Sequence, residues 1–211
     1  MQLNRDICNM KLIIMTKSTF FVEEDKILTA LFDEGMDNLH LNKPAAAPMY
    51  SERLLTLLPD DSYGRITVHE HFYLKDEYGL KGIRIDTPQA AVPQGYKGHV
   101  SRSCVDIEDL KATKKNADYV FLKNTFHSNQ EGKSTASHTI AELEEAAERG
   151  LIDKKVYAMG GVNVDNIKIA RELGFGGVVV CGDLWSRFDI HQQLDYKDLI
   201  THFDRLRKAV S

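Results

Sequence analysis

The run Val156–Gly161, VYAMGG, joins an apolar strand to two terminal glycines, and the chemistry it suggests is phosphate binding. Paired glycines let the backbone approach a ligand closely. The helix DNIKIARELG begins just past the turn at Val162 and Asn163 and offers free N–H groups and a positive dipole end. A second strand starts fifteen residues after Gly161, in GGVVVCGD. Gly160, Gly161, Asn163 and Gly182 therefore make a candidate phosphate seat at the carboxyl ends of two adjacent parallel strands. An isolated glycine pair more often makes only a tight turn, but two such ends side by side favour a ligand. Asp183 opens a short helix after the second of these strands. Its carboxylate would compete with a bound anion, so it must point away.

Other residues carry weaker signals. In His69-Glu70-His71 the two histidines share a strand face, a spacing that could ligate zinc. Zinc would need further ligands from other strands, with Asp86 and His127 available but demanded by no spacing. A polar strand end followed by a helix start is the more economical reading, and Glu70 as one oxygen ligand of Mg²⁺ lies between the two. Lys123 ends the apolar strand YVFLK, where it could form a Schiff base with a carbonyl substrate or bind an anion. Anion binding is preferred. Ser103 could donate to a phosphate oxygen or simply cap its strand. Thr125–Ala136, with Lys133, is long enough to act as a lid, although its composition narrowly favours an ordinary loop. Trp185 reads as a packing residue.

These residues need elements to hold them, and the chain alternates strand and helix from Lys11 to Ala209. Strands are expected at 11–15, 38–41, 65–68, 82–85, 99–103, 118–122 and in the two runs above, with at least seven helices between and after them. Eight parallel strands with helical covers in 211 residues fit a small (β/α)8 TIM barrel, a fold typically of about 250 residues. A doubly wound open sheet is the alternative. The segment 86–98, with two prolines and two glycines, reads as an irregular connection in place of the fourth helix. A single domain is expected over 10–211, with 1–9 as an N-terminal extension and Met10 as an alternative start. A hydrophobic content of 43%, a charged content of 27% and a net charge of -4 without a basic stripe indicate a globular protein and argue against nucleic acid as a partner. Cys8, Cys104 and Cys181 are odd in number and far apart, which suits a reducing cytoplasm. The apolar run near the start is too short to span a membrane. A homo-oligomer is compatible with all of this.

Four stretches taken in order are similar to those of a known family. HVSRSCVDIEDL resembles a Gly-x-Ser-x-His-(Ser/Thr)-x-x-Glu stretch, and ADYVFLKNTF an Ala-Asp-Tyr-Val-x-x-Gly-x-x-Phe stretch. VYAMGGVNVDNI resembles Val-x-Ala-Ile-Gly-Gly-Ile-x-x-x-Asn, and GFGGVVVCGDLW resembles Gly-Ala-x-Gly-Val-Ala-Val with a short helix after it. Weaker similarity reaches back through GLKGIRID, VHEHFYLKDEYG and LHLNK. The chain thus resembles the thiamine-phosphate synthase and TenI-type barrels. That resemblance implies a transferase of thiamine biosynthesis, joining a hydroxymethylpyrimidine diphosphate to a thiazole phosphate with Mg²⁺ and releasing pyrophosphate. Its partners would be small phosphorylated heterocycles. It also implies two alternatives: a TenI-type thiazole tautomerase, with His127, His69 or His71 moving the proton, and a non-catalytic protein that binds thiazole phosphate or thiamine phosphate. By the resemblance, Gly160, Gly161 and Gly182 match the thiazole-phosphate seat, and Ser103 the serine that contacts diphosphate. Lys133 matches a lid lysine after a two-residue insertion, and Lys43 a second-strand lysine after a gap, while that strand has no arginine. Glu70 and Asp86 stand near the metal-ligand positions, and Asn124 stands where the tautomerase has its histidine.

Overall fold

The computed structural model describes residues 10–87, 90–127, 138–189 and 195–211. The expected extension at 1–9, the proposed lid lysine Lys133 and most of the candidate lid lie outside the described residues. Eight strands form the frame: β1 (Lys11–Met15), β2 (Leu39–Leu41), β3 (Ile66–Val68), β4 (Gly82–Ile85), β5 (His99–Cys104), β6 (Tyr119–Leu122), β7 (Val156–Met159) and β8 (Gly177–Val180). They pair in sequence order, all parallel, and β8 closes on β1 with Leu12 opposite Val178. The chain is a small (β/α)8 barrel, as its alternating pattern predicts, and not an open sheet.

The helices are α1 (Glu24–Asp33), α2 (Pro48–Leu57), α3 (Tyr73–Tyr78), α4 (Leu110–Thr113), α5 (Ile140–Glu148), α6 (Ile167–Glu172), α7 (Gly182–Trp185) and α8 (Lys197–Val210). Their boundaries follow local chemistry. Thr139 caps α5 through a reciprocal pair with Glu142, so the helix begins at Ile140. The helix expected from Asp106 shrinks to α4 and a 3-10 turn at Lys114–Asn116, because the Asp106 carboxylate accepts from the Glu108 N–H and fixes a turn there. A further 3-10 segment, Asp60–Arg65, follows Pro59, whose carbonyl accepts from both the N–H and the hydroxyl of Ser62. Among the described residues no helix lies between β4 and β5, in line with the proline- and glycine-rich sequence there.

Two apolar layers result from strand alternation. One lies between strands and helices and includes Ile14, Leu39, Val120, Val178 and Leu199. The other lies inside the barrel and holds Ile13, Met15, Tyr119, Phe121 and Val179. His40, Thr67, Arg84 and Ser101 are buried as well, so the barrel is polar along β2–β5. That polar side leads up to the carboxyl ends of the strands, where active sites of this fold are built.

Candidate active site

One group at the mouth is carried by β4, β5 and β6. Ser103 and Lys123 were read from sequence and come together there, joined by Asp86 and by an arginine that the sequence reading missed. Arg84 lies on β4, in register with Ser101 of β5, so its side chain rises toward Ser103 two residues further along the same face. Its Nη2 donates to the Asp86 Oδ1 at 2.7 Å and to the Ser103 Oγ at 3.0 Å. The Ser103 hydroxyl donates to the same Asp86 oxygen at 2.8 Å, and the Lys123 ammonium reaches it at 2.6 Å. Burial pushes the Asp86 carboxyl up, but the Lys123 hydrogen bond, the Arg84 charge and the Ser103 hydroxyl together hold it below the usual carboxylate range. Lys123 thus faces Asp86 and not the glycine pair, and Asp86 faces cations.

Arg84 is fixed from below. Its Nη1 lies 3.1 Å from the His69 Nδ1, and the guanidinium stands 5.2 Å from the Phe121 ring. A guanidinium only donates, so that His69 nitrogen accepts and its Nε2 carries the proton. Asn42 Oδ1, 3.2 Å from the same nitrogen, is then a neighbour and not a partner. The His69 Nε2 donates to the His40 Nδ1 at 2.8 Å, and the His40 Nε2 donates to the Tyr119 hydroxyl at 2.8 Å. Burial, reinforced for each histidine by the Arg84 charge, holds both well below the ordinary histidine range. Arg84 and His40 were legible in principle. Each is a lone polar residue between apolar neighbours in a short strand, GIRI and LHL, and alternation sends it into the barrel.

A second group lies over β2 and β3. The Lys43 ammonium is buried against the Glu24 carboxylate at 2.7 Å and the Thr19 carbonyl at 2.9 Å, above the Phe20 ring at 4.4 Å. Burial drives Lys43 down and Glu24 up, and the pairing opposes both shifts. Glu70 accepts from the Lys43 backbone N–H at 2.9 Å and makes no ion pair among the described residues. Burial raises its carboxyl. His71 has φ 54°, and its Nε2 contacts the Ala46 carbonyl at 3.0 Å, so it faces away from His69. Among the described residues no three His, Cys, Asp or Glu side chains cluster to enclose a metal.

The third group is the glycine seat. Gly160 and Gly161 both take positive φ, 100° and 64°. Among the described residues, the amides of Gly161, Gly182 and Asp183 donate to no carbonyl or side chain. A side chain at Gly161 would meet the carbonyls of His127 and Phe126 at 2.4 and 2.6 Å, so the segment after β6 packs directly on this turn. His127 itself is exposed there. The Asn163 side chain accepts from the amides of Asp165 and Asn166, which makes it the cap of the turn into α6. Asp183 does point away: its carboxylate accepts from the His202 Nε2 of α8 at 2.6 Å. Trp185 donates to the Met15 carbonyl at 2.7 Å and packs in the core.

The chain is similar to proteins of known family and fold. The thiamine monophosphate synthase family profile matches residues 67–184. A thiamine phosphate pyrophosphorylase from Bacteroides thetaiotaomicron is 49% identical, with 95% of this chain and 97% of that one covered and a TM-score of 0.84. A thiamine phosphate pyrophosphorylase from Pyrococcus furiosus shares the fold at 18% identity and TM-score 0.70, with 97% and 96% covered. A 3-hexulose-6-phosphate synthase likewise shares the fold at 16% identity and TM-score 0.62, with 96% and 100% covered. Among curated proteins none matches.

Proposed function

The chain belongs to the thiamine monophosphate synthase family, and from that premise we propose that it joins a hydroxymethylpyrimidine diphosphate to a thiazole phosphate, releasing pyrophosphate. The single observation that carries this reading is the 49% identity to a thiamine phosphate pyrophosphorylase across 95% of the chain. The mouth is compatible with it. The thiazole phosphate would rest on the amides of Gly161 and Gly182, which have no partner among the described residues, with Gly160 allowing its close approach. The diphosphate would face Ser103, Arg84 and Lys123. As the bond from the pyrimidine methylene to the diphosphate oxygen breaks, negative charge gathers on the leaving group, and fixed donors stabilise that charge more than the ground state. The thiazole nitrogen then supplies the electron pair for the new carbon–nitrogen bond. Burial of the network around Arg84 keeps its donors oriented throughout.

Mg²⁺ fits one position. Magnesium is usually held by one or two carboxylates together with substrate phosphates. Glu70 is a half-buried carboxylate with no ion pair among the described residues and would hold it there. When bound, the ion would neutralise charge on the diphosphate. We further propose cytoplasmic work on small phosphorylated heterocycles; among the described residues no helix is long and apolar enough to cross a membrane. The direct test is incubation of the purified chain with both substrates and Mg²⁺, following thiamine phosphate and pyrophosphate. Formation of both in equal amounts is expected, and no product at high enzyme concentration would overturn the reading.

A further inference from the structure

Three donors converge on one oxygen of Asp86, at 2.6 Å from Lys123, 2.7 Å from Arg84 and 2.8 Å from Ser103. Charge-assisted hydrogen bonds of this length are the strong kind, and their convergence is the geometry that a phosphoryl oxygen requires. We propose that Asp86 is a placeholder: in the ligand-free protein its carboxylate occupies the seat of a diphosphate oxygen, and the diphosphate binds by evicting it. The proposal rests on the assignment of this end of the mouth to diphosphate.

Burial is divided unevenly across the seat. Arg84 is 6% exposed and Ser103 1%, whereas Asp86 is 62% exposed. The donors are anchored, and the carboxylate can swing into water without opening a cavity. Arg84 is also held by His69, through a nitrogen that does not contact Asp86, and its buried Nε has no partner among the described residues. Charge points the same way. Two cations face a single carboxylate, so an incoming group with several anionic oxygens satisfies them better than Asp86 does. A monoanionic carboxylate ligand gains nothing over the side chain already there. Asp86 would therefore act as a threshold that admits polyphosphate and rejects weak anions, and it would keep two like charges 6% and 28% exposed from facing each other unpaired in the empty site.

Calorimetric titration of inorganic pyrophosphate into the full chain, in magnesium-free buffer with chelator, tests this. Asp86→Asn keeps the side-chain shape and removes the competing charge; it is expected to bind pyrophosphate roughly tenfold tighter than the unaltered protein. Equal or weaker binding, or no binding to either protein, overturns the proposal. Asp106→Asn is the second variant. It removes a carboxylate just after β5 that does not touch the seat, its side-chain oxygen can still accept from the Glu108 N–H, and it is expected to change affinity no more than about twofold at the screened distances of a wet site. A gain equal to that of Asp86→Asn would mean a general field effect and no placeholder. The assay contains neither heterocycle, so it stands apart from turnover. Failure to form thiamine phosphate with the tenfold gain intact sinks the proposed activity alone, and turnover without the gain sinks the placeholder alone.

Discussion

Lys43 sits at the end of β2, where a cation could face an anionic ligand, yet its ammonium is turned onto Glu24 and both side chains are almost completely buried, 1% and 2% exposed. The pair stitches the loop after β2 to the start of α1. Breaking a buried pair from one side leaves an uncompensated charge and costs about 3–5 kcal/mol, whereas replacing both partners with apolar groups is often nearly neutral. Lys43→Met is therefore expected to lower the melting temperature by roughly 6–20 °C, and Glu24→Leu combined with Lys43→Met to recover most of that loss in a calorimetric scan. A Lys43→Met protein that keeps its melting temperature but loses pyrophosphate affinity would return Lys43 to the ligand. Ser103 makes the opposite case. It contacts Arg84 and Asp86 at the mouth and little of the fold depends on it, so Ser103→Ala is expected to slow thiamine phosphate formation by about 100-fold. Its melting temperature should fall by about 4–8 °C, the equivalent of the two hydrogen bonds lost to Arg84 and Asp86. Steady-state rates and a melting curve on the same preparation separate the two effects.

Among the elements, the turn after β7 is where backbone geometry matters most. Gly161 has φ 64°, and a Cβ there would sit 2.4 Å from the His127 carbonyl oxygen, while Gly150 has φ 70° and open space around it. Gly150→Ala meets only the left-handed backbone cost, about 1 kcal/mol. Gly161→Ala meets that cost and must also push the segment after β6 off the turn, so it is expected to destabilise the protein by at least about 2 kcal/mol more in urea unfolding. Equal losses would show that the close approach carries no weight. The same turn shows what the sequence discloses about elements. VYAMGG reads as a strand ending in a special turn because apolar runs and glycine pairs are local signals. All eight strands were legible in that way, as was the short helix at Gly182. The close approach of Phe126 and His127 was not, since it depends on how β6 and β7 pair. Likewise the α4 helix came out short, because an aspartate–amide turn at Asp106 competes with helix and composition does not show which wins. At the site, Ser103 and Lys123 could be picked as strand-end residues, whereas Arg84 joined them only once the strand face on which it lies was fixed.

Across the whole molecule, the polar column inside the barrel links stability to pH. His40 and His69 are buried, hydrogen-bonded to each other, and held well below the ordinary histidine range. In the unfolded chain both regain a pKa of about 6.5. Below that value the unfolded state takes up protons that the folded state refuses, so folding stability falls as pH falls from about 6.5 toward the depressed folded values. The loss approaches about 1.4 kcal/mol per pH unit for each histidine, or about 2.7 for the two. Glu24 and Glu70, both pushed up by burial, act in the opposite sense, because the folded state binds their protons more readily than the unfolded chain does above 4.5. Comparison with His40→Gln removes that shared contribution: glutamine can still donate and accept in the column but does not titrate. Urea unfolding of both proteins between pH 7 and pH 5.5 should give a steeper decline for the unaltered chain, by about 1.4 kcal/mol per unit at the acid end. Parallel declines would show that His40 charges freely inside the barrel. The His69 acceptor that fixes Arg84 would then not be locked by its neighbour, and the preorganised cation at the mouth would lose its structural basis.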